Sequence, residues 1–221
     1  MIGKNSFYIL ILLLFFACAG DGNVLEVNLN EPTEVTALPY YHTPDFEPIW
    51  KLGNMDTLHT ISNFSFIDQN SKAITHQTIE GKIYLSNFFF TSCGGICPKL
   101  TRNMEKVQEA FENETEVLFL SHSVIPEQDS VAKLKTYTNN FEVDDNRWHF
   151  LTGSKAEIYD MARKSYFAEE EPGFNKDSTQ FLHTEHFILV DRNKHIRGIY
   201  NGTIELEMDR IIDDIKLLLT E

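Results

Sequence analysis

Apolar positions along the chain fall into three regimes. From Phe7 to Ala17 they run almost unbroken behind a single basic residue, Lys4. From Ala19 to about residue 60 they are scattered among Pro32, Pro39, Pro44 and Pro48. This stretch reads as a tether and irregular lead-in, with Tyr40, Tyr41, Phe46, Ile49 and Trp50 expected to pack on the domain behind it. From about residue 61 the pattern becomes regular. Phe64–Asp68 and Ala73–Ile74 flank Asn70-Ser71 and predict a hairpin. Lys82–Phe90 predicts a strand buried on both faces at its end. Pro98 suits a first helical turn, and Leu100, Met104, Val107 and Phe111 recur at helical spacing behind it. Glu116–Ser121 reads as a strand. Asp129 or Ser130 then caps a helix running to about Asn140. Arg147–Leu151 is a short strand and Ser154–Ser165 a helix. Glu185–Asp191 and Ile196–Tyr200 are strands joined at Arg192-Asn193-Lys194. Leu206, Ile211, Ile212, Ile215, Leu218 and Leu219 mark a closing amphipathic helix.

The order β-α-β-α-β-α-β-β-α puts helices on both sides of a mixed sheet, an α/β architecture. A strand leads into a helix whose start carries cysteine, and two neighbouring strands and a helix close the chain. Together these predict a thioredoxin-like fold with a central mixed sheet flanked by helices. The expected boundaries are 1–17 for a lipoprotein-type signal peptide, 18–59 for the tether and lead-in, and 60–221 for the thioredoxin-like domain.

The first apolar run suits the core of a signal peptide and is shorter than the ~20 residues of a membrane-spanning helix. It ends at Phe15-Phe16-Ala17-Cys18, followed by Ala19-Gly20-Asp21. A small residue just before cysteine at that place resembles a bacterial lipobox, with Phe15 where leucine is usual. Lipidation of Cys18 would make it the first mature residue and anchor the chain to a membrane of the cell envelope, with the domain facing the periplasm. An uncleaved short anchor, or a buried cysteine in a plain signal peptide, is the alternative. The formal net charge is −14. Loss of residues 1–17 removes Lys4 and leaves the balance one unit more negative. This acidity, without a basic stripe, argues against nucleic acid as a partner.

Export changes the meaning of the cysteines, because an oxidising compartment turns thiols into disulfides unless they are kept reduced. With Cys18 lipidated, Cys93 and Cys97 remain of the three cysteines. A disulfide across three intervening residues would remove little chain entropy, so a staple is a weak reading of the pair. Both cysteines lie in Phe90-Thr91-Ser92-Cys93-Gly94-Gly95-Ile96-Cys97-Pro98, between the end of a buried strand and the start of a helix. The helix N-terminus favours thiolate over thiol at both, and the glycines let the backbone bend. Two thiolates there can form a disulfide or bind a soft metal ion.

Among eight histidines, His183 stands out by position. It lies on the loop before the Glu185–Asp191 strand, which in a thioredoxin-like plan faces the cysteine pair, where thioredoxins place a cis-proline. His186, three residues on, falls on the opposite face by strand alternation. Two thiolates and an imidazole suit a thiophilic ion. Cu(I) accepts three-coordinate S, S, N sites, and Cu(II) uses the same set with an added ligand, whereas structural zinc sites usually take four protein ligands.

Several segments in this order resemble the Sco/SenC family of copper chaperones. They are Phe90-Thr91-x-Cys93-x-x-x-Cys97-Pro98, Ser121-His122-Ser123-Val124-Ile125-Pro126-Glu127-Gln128-Asp129-Ser130, Leu134-x-x-Tyr137, Arg147-Trp148-His149-Phe150-Leu151-Thr152-Gly153, and His183 before Phe187-x-Leu189-Val190-Asp191. The resemblance covers roughly residues 60 to 220. It implies a copper carrier rather than a classical enzyme, holding Cu(I) or Cu(II) with Cys93, Cys97 and His183. It implies delivery to the dinuclear copper site of cytochrome c oxidase subunit II, with thiol-disulfide reduction of that subunit's cysteines as an accompanying activity. The chain has Gly94-Gly95 where many relatives have Cys-Pro-Asp-x-Cys, Leu182 where many have Asp, and Ile125 in place of the Asp of Ser-x-Asp-Pro. These departures leave the three ligands intact and bear on their tuning. An exported thiol-disulfide reductase using Cys93 and Cys97 without metal is the main alternative. A thiol peroxidase and a copper or redox sensor are further ones.

Overall fold

The computed structural model describes residues 37–50, 57–168 and 184–221. Two two-residue strands, β1 (Tyr40–Tyr41) and β2 (Pro48–Ile49), precede a hairpin of β3 (Ser65–Ile67) and β4 (Ala73–Thr75). Then come β5 (Ile83–Phe89), α1 (Cys97–Ala110), β6 (Val117–Ser123), α2 (Val131–Thr138), β7 (Trp148–Leu151) and α3 (Lys155–Lys164). After residues 169–183, β8 (His186–Val190), β9 (Ile196–Asn201) and α4 (Leu206–Thr220) complete the chain. The seven-stranded sheet has the order β2-β1-β9-β8-β5-β6-β7. Strands β5, β6 and β7 are parallel, and β8 runs antiparallel to β5 with Ser86 opposite Ile188. This mixed sheet between helices is a thioredoxin-like fold.

Alternation along β5 explains the two layers. Ile83, Leu85 and Phe89 enter a core with α1, α2 and α4. Tyr84 and Phe88 point the other way, into a core with α3 and the β3–β4 hairpin. The stripe read from α1 is real: Leu100, Met104 and Val107 are fully buried, each contributing about 1.5–3 kcal/mol of apolar burial. Ser71, in the predicted hairpin turn, has a φ of 62°, the left-handed conformation such turns require.

The lead-in contains more order than scattered prolines suggest. Arg197 on β9 is buried and donates to the carbonyl oxygens of Pro39 (3.1 Å) and Leu38 (2.9 Å). The same guanidinium donates to Asp191 (3.1 Å) and to both carboxylate oxygens of Glu221 (2.7 and 3.0 Å). That grip sets β1 along β9, with Tyr41 opposite Ile196. Trp50, expected to pack, is instead 62% exposed. It lies one residue beyond the short pairing of β2, where the sheet no longer directs side chains inward.

Candidate metal centre

The site grows from the end of β5. Its final hydrogen bonds include Val124 N–H to the Phe89 carbonyl at 2.9 Å, after which the chain leaves the sheet. Cys93 N–H donates back to the Phe90 carbonyl at 3.3 Å, closing a turn. Ile96 then serves as the cap of α1, and its carbonyl accepts from the N–H groups of Lys99 and Leu100, both at 2.9 Å. Pro98 occupies the first turn, where its missing N–H costs nothing. Cys97 is therefore the first helical residue and only 4% exposed, whereas Cys93 is partly open.

This difference in burial separates the two thiols chemically. Burial opposes ionisation of Cys93. Hydrogen bonds from the Cys97 backbone, the Cys97 thiol and the Gly95 and Ile96 backbones outweigh it, so Cys93 lies below the ordinary thiol value. Cys97 is pushed up to about 12, chiefly by burial, with its bond to Cys93 adding to the effect against an opposing Phe90 backbone contact. The two thiols, expected to ionise alike, differ: Cys93 is the more readily ionised, and Cys97 keeps its proton, directed toward Cys93.

The glycines are less necessary than their flexibility suggests. Gly81 is the one glycine with positive φ among the described residues. A Cβ at Gly94 would meet nothing within 4 Å, and one at Gly95 would lie 3.9 Å from the Cys93 sulfur, an ordinary contact. What they supply is open space over Cys93.

Helix α2 supports the pair from the side. Thr101 on α1 donates its one hydroxyl hydrogen to the Cys97 carbonyl at 3.0 Å. The Tyr137 hydroxyl, 2.8 Å from the Thr101 oxygen, must therefore be the donor in that contact. Tyr137 is held protonated, pushed up to about 12 chiefly by burial, against the Thr101 contact, with the neighbouring cysteines and Asp129 adding to the rise.

The described histidines sort into structural roles. His122 is fully buried, its ring stacked on Phe88 at 5.2 Å and edge-on to Phe64 and Phe66. Neither ring nitrogen has a hydrogen-bond partner among the described residues, and burial pushes the imidazole down to about 3. His149 pairs with buried Asp68 at 3.0 Å. His186 opens β8 with its ring edge-on to Phe46 at 5.7 Å, on the core layer opposite to the cysteines. His183 lies outside the described residues, as does Cys18. Among the described residues no group of three His, Cys, Asp or Glu side chains is poised to hold a metal. Two soft sulfur donors at one strand–helix junction do fit a thiophilic ion. Because β8 is antiparallel to β5, the chain enters β8 at the same end of the sheet that β5 leaves toward Cys93.

The SCO1/SenC family profile matches residues 53–220. The chain belongs to the SCO1/SenC family. It is 33% identical to BsSco, a member of the Sco family of cytochrome c oxidase assembly proteins in which a disulfide switch has been identified. That match covers 73% of this chain and 94% of BsSco at a TM-score of 0.63. A SCO1/SenC family lipoprotein from Bacillus anthracis is 29% identical, covering 73% of this chain and 95% of that one, with a TM-score of 0.63. ScoI from Bradyrhizobium japonicum, solved with copper bound, is 27% identical over 68% of this chain and 98% of its own, with a TM-score of 0.54. Among the described residues of this Sco chain, no helix is long and apolar enough to cross a membrane.

Sequence reasoning did not single out one residue that contacts the turn leading to Cys93: Asp129 reads as a possible helix cap and as part of the family-like Ser121–Ser130 segment. Ser130 takes that role, accepting from Lys133 N–H at 3.4 Å. Asp129 turns inward and binds the residue two before Cys93.

Proposed function

We propose that this protein carries copper, holding it with Cys93, Cys97 and His183, and delivers it to the dinuclear site of cytochrome c oxidase subunit II. The observation that carries this reading is the pair of neighbouring cysteines, Cys93 more readily ionised than Cys97, at the sheet end where the chain enters β8 just after His183. Copper is the cargo. Cys93 is the more easily ionised donor, and loss of the Cys97 proton on binding supplies the second thiolate, so uptake releases hydrogen ions and is favoured by rising pH. His183 supplies the neutral donor. Its partner at i+3, His186, is committed to Phe46. The copper-bound ScoI and the oxidase-assembly role of BsSco support the cargo and the destination. Residues 1–17 serve as a signal segment and Cys18 as the lipid attachment that holds the 60–221 domain at a membrane, a reading supported by the Bacillus anthracis lipoprotein.

Anaerobic titration of the reduced protein with copper tests this. The expected result is one copper per chain, with little binding once Cys93 and Cys97 are joined, because oxidation removes both anionic donors. His183→Ala should lose the thiolate-to-Cu(II) absorption bands while His186→Ala keeps them. Equal bands in wild type and His183→Ala would remove the histidine from the site, and unchanged affinity in the oxidised protein would remove the cysteines.

The unequal thiols also favour a second activity, reduction of a partner's disulfide. Cys93 would attack one sulfur of that disulfide and expel the other as thiolate. Cys97, losing its proton, would then displace the mixed disulfide and leave Cys93 and Cys97 joined, two electrons having passed to the partner.

A further inference from the structure

The turn that carries Cys93 is fastened from outside itself. Asp129 is fully buried. One of its carboxylate oxygens accepts the Thr91 hydroxyl at 2.5 Å. The other accepts the Thr91 backbone N–H at 3.1 Å and the Ser123 hydroxyl at 2.6 Å. The Lys133 ammonium stands 3.6 Å away. One side chain thereby joins the segment after β5, the last residue of β6 and the entry to α2. Burying a carboxylate is costly unless donors surround it, and every partner here is a donor. Helix α2 does not need the arrangement, since Ser130 already caps it. Two of the three hydrogen bonds end on Thr91, two residues before Cys93.

We propose that Asp129 is a positioning residue for the Cys93–Cys97 pair: by pinning both the backbone and the side chain of Thr91 it holds the turn in its dithiol arrangement. In that arrangement Gly95 lies against the Cys93 sulfur, a Cβ placed on it falling 3.9 Å away, and backbone hydrogen bonds from Gly95, Ile96 and Cys97 favour the Cys93 thiolate. A loosened Thr91 lets the turn drift, and the reduced pair loses its preorganised donors relative to the disulfide. The inference rests on the pair being the working centre. It requires no metal.

The test is the equilibrium between dithiol and disulfide in the metal-free protein, measured in dithiothreitol redox buffers by thiol labelling. Asp129→Asn keeps the shape but turns an NH2 group toward a donor. It should shift the equilibrium constant toward the disulfide by about threefold or more. Thr91→Val should shift it the same way, Thr91→Ser should match wild type, and the Asp129→Asn/Thr91→Val double variant should move less than the sum of the singles, because the two share one interaction. Ser130→Ala removes the α2 cap without touching Thr91, so it should lower the melting temperature and leave the equilibrium unchanged. If Asp129→Asn proves too unstable, Thr91→Val against Thr91→Ser decides alone. The proposal is overturned if Asp129→Asn and Thr91→Val lower stability but leave the equilibrium constant within experimental error of wild type, or move it no further than Ser130→Ala. Failure of the reduced protein to bind copper would leave this result standing, since no copper is present.

Discussion

The Cys97 thiol donates a hydrogen bond to the Cys93 sulfur, and the two thiols ionise unequally, Cys93 the more readily. The inequality comes from place rather than residue type. Cys93 sits in the open turn among backbone donors, while Cys97 is the first helical residue and packs in the core with Leu100 and Phe89.

One consequence is selective chemistry. In the reduced, metal-free protein at pH 8, iodoacetamide should modify Cys93 roughly tenfold or more faster than Cys97, because thiolate fraction and access both favour it. Peptide mass spectrometry after brief labelling reads this directly. Equal rates, or faster modification of Cys97, would contradict the proton division.

His122 is expected to cost stability in acid. Its ring is neutral in the fold, with a value of about 3 against an ordinary 6.5. The unfolded chain binds a proton at this position below about pH 6.5, and the folded chain binds it only near pH 3. Within that window the unfolded state holds more protons, so stability falls as pH falls, by about 1 kcal/mol per pH unit from this residue. Urea unfolding at pH 7, 6 and 5 should show the loss, and His122→Phe should reduce the slope by about that amount. An unchanged slope in the variant would assign the acid sensitivity elsewhere.

Arg197 holds the lead-in. Arg197→Met would strand the Asp191 and Glu221 carboxylates and the Leu38 and Pro39 carbonyls together. Removing one partner of a buried charge cluster costs about 3 kcal/mol or more, a fall of roughly 10 °C in melting temperature for a domain of this size. Limited proteolysis should then cut before Tyr41 faster than in wild type. A stable variant with an intact lead-in would show that β1 holds its place without the guanidinium.

The elements that sequence reasoning found share one property: their signal is local. The stripe of α1, the apolar run of β5 and the turn at Asn70-Ser71 each follow from neighbours a few residues apart, and the structure places them within a residue or two. The elements it passed over depend on distant partners. Strands β1 and β2 are two residues long, too short for any period; β1 is held by Arg197, more than 150 residues away in the chain, and β2 pairs with β1. Asp129 and Ser130 are equivalent as caps by residue type. Only the position of Thr91, 38 residues earlier, decides which one turns inward. The same applies to the thiols: the helix start is visible in Cys97-Pro98, but the core that suppresses ionisation of Cys97 is assembled from strands and helices throughout the chain.

The sheet has two ends with different duties. Strand β5 runs toward Cys93, while Arg197, the lead-in at Leu38 and Pro39, and the last residue Glu221 gather where β8 finishes and β9 begins. Both boundaries of the described domain therefore hang from the pole opposite the sulfurs. The sheet end that leads to Cys93 holds neither boundary, so an encounter at the sulfurs would not involve them. A fluorophore or affinity handle fused after Glu221 would ride on that same rear pole, out of the way of the encounter.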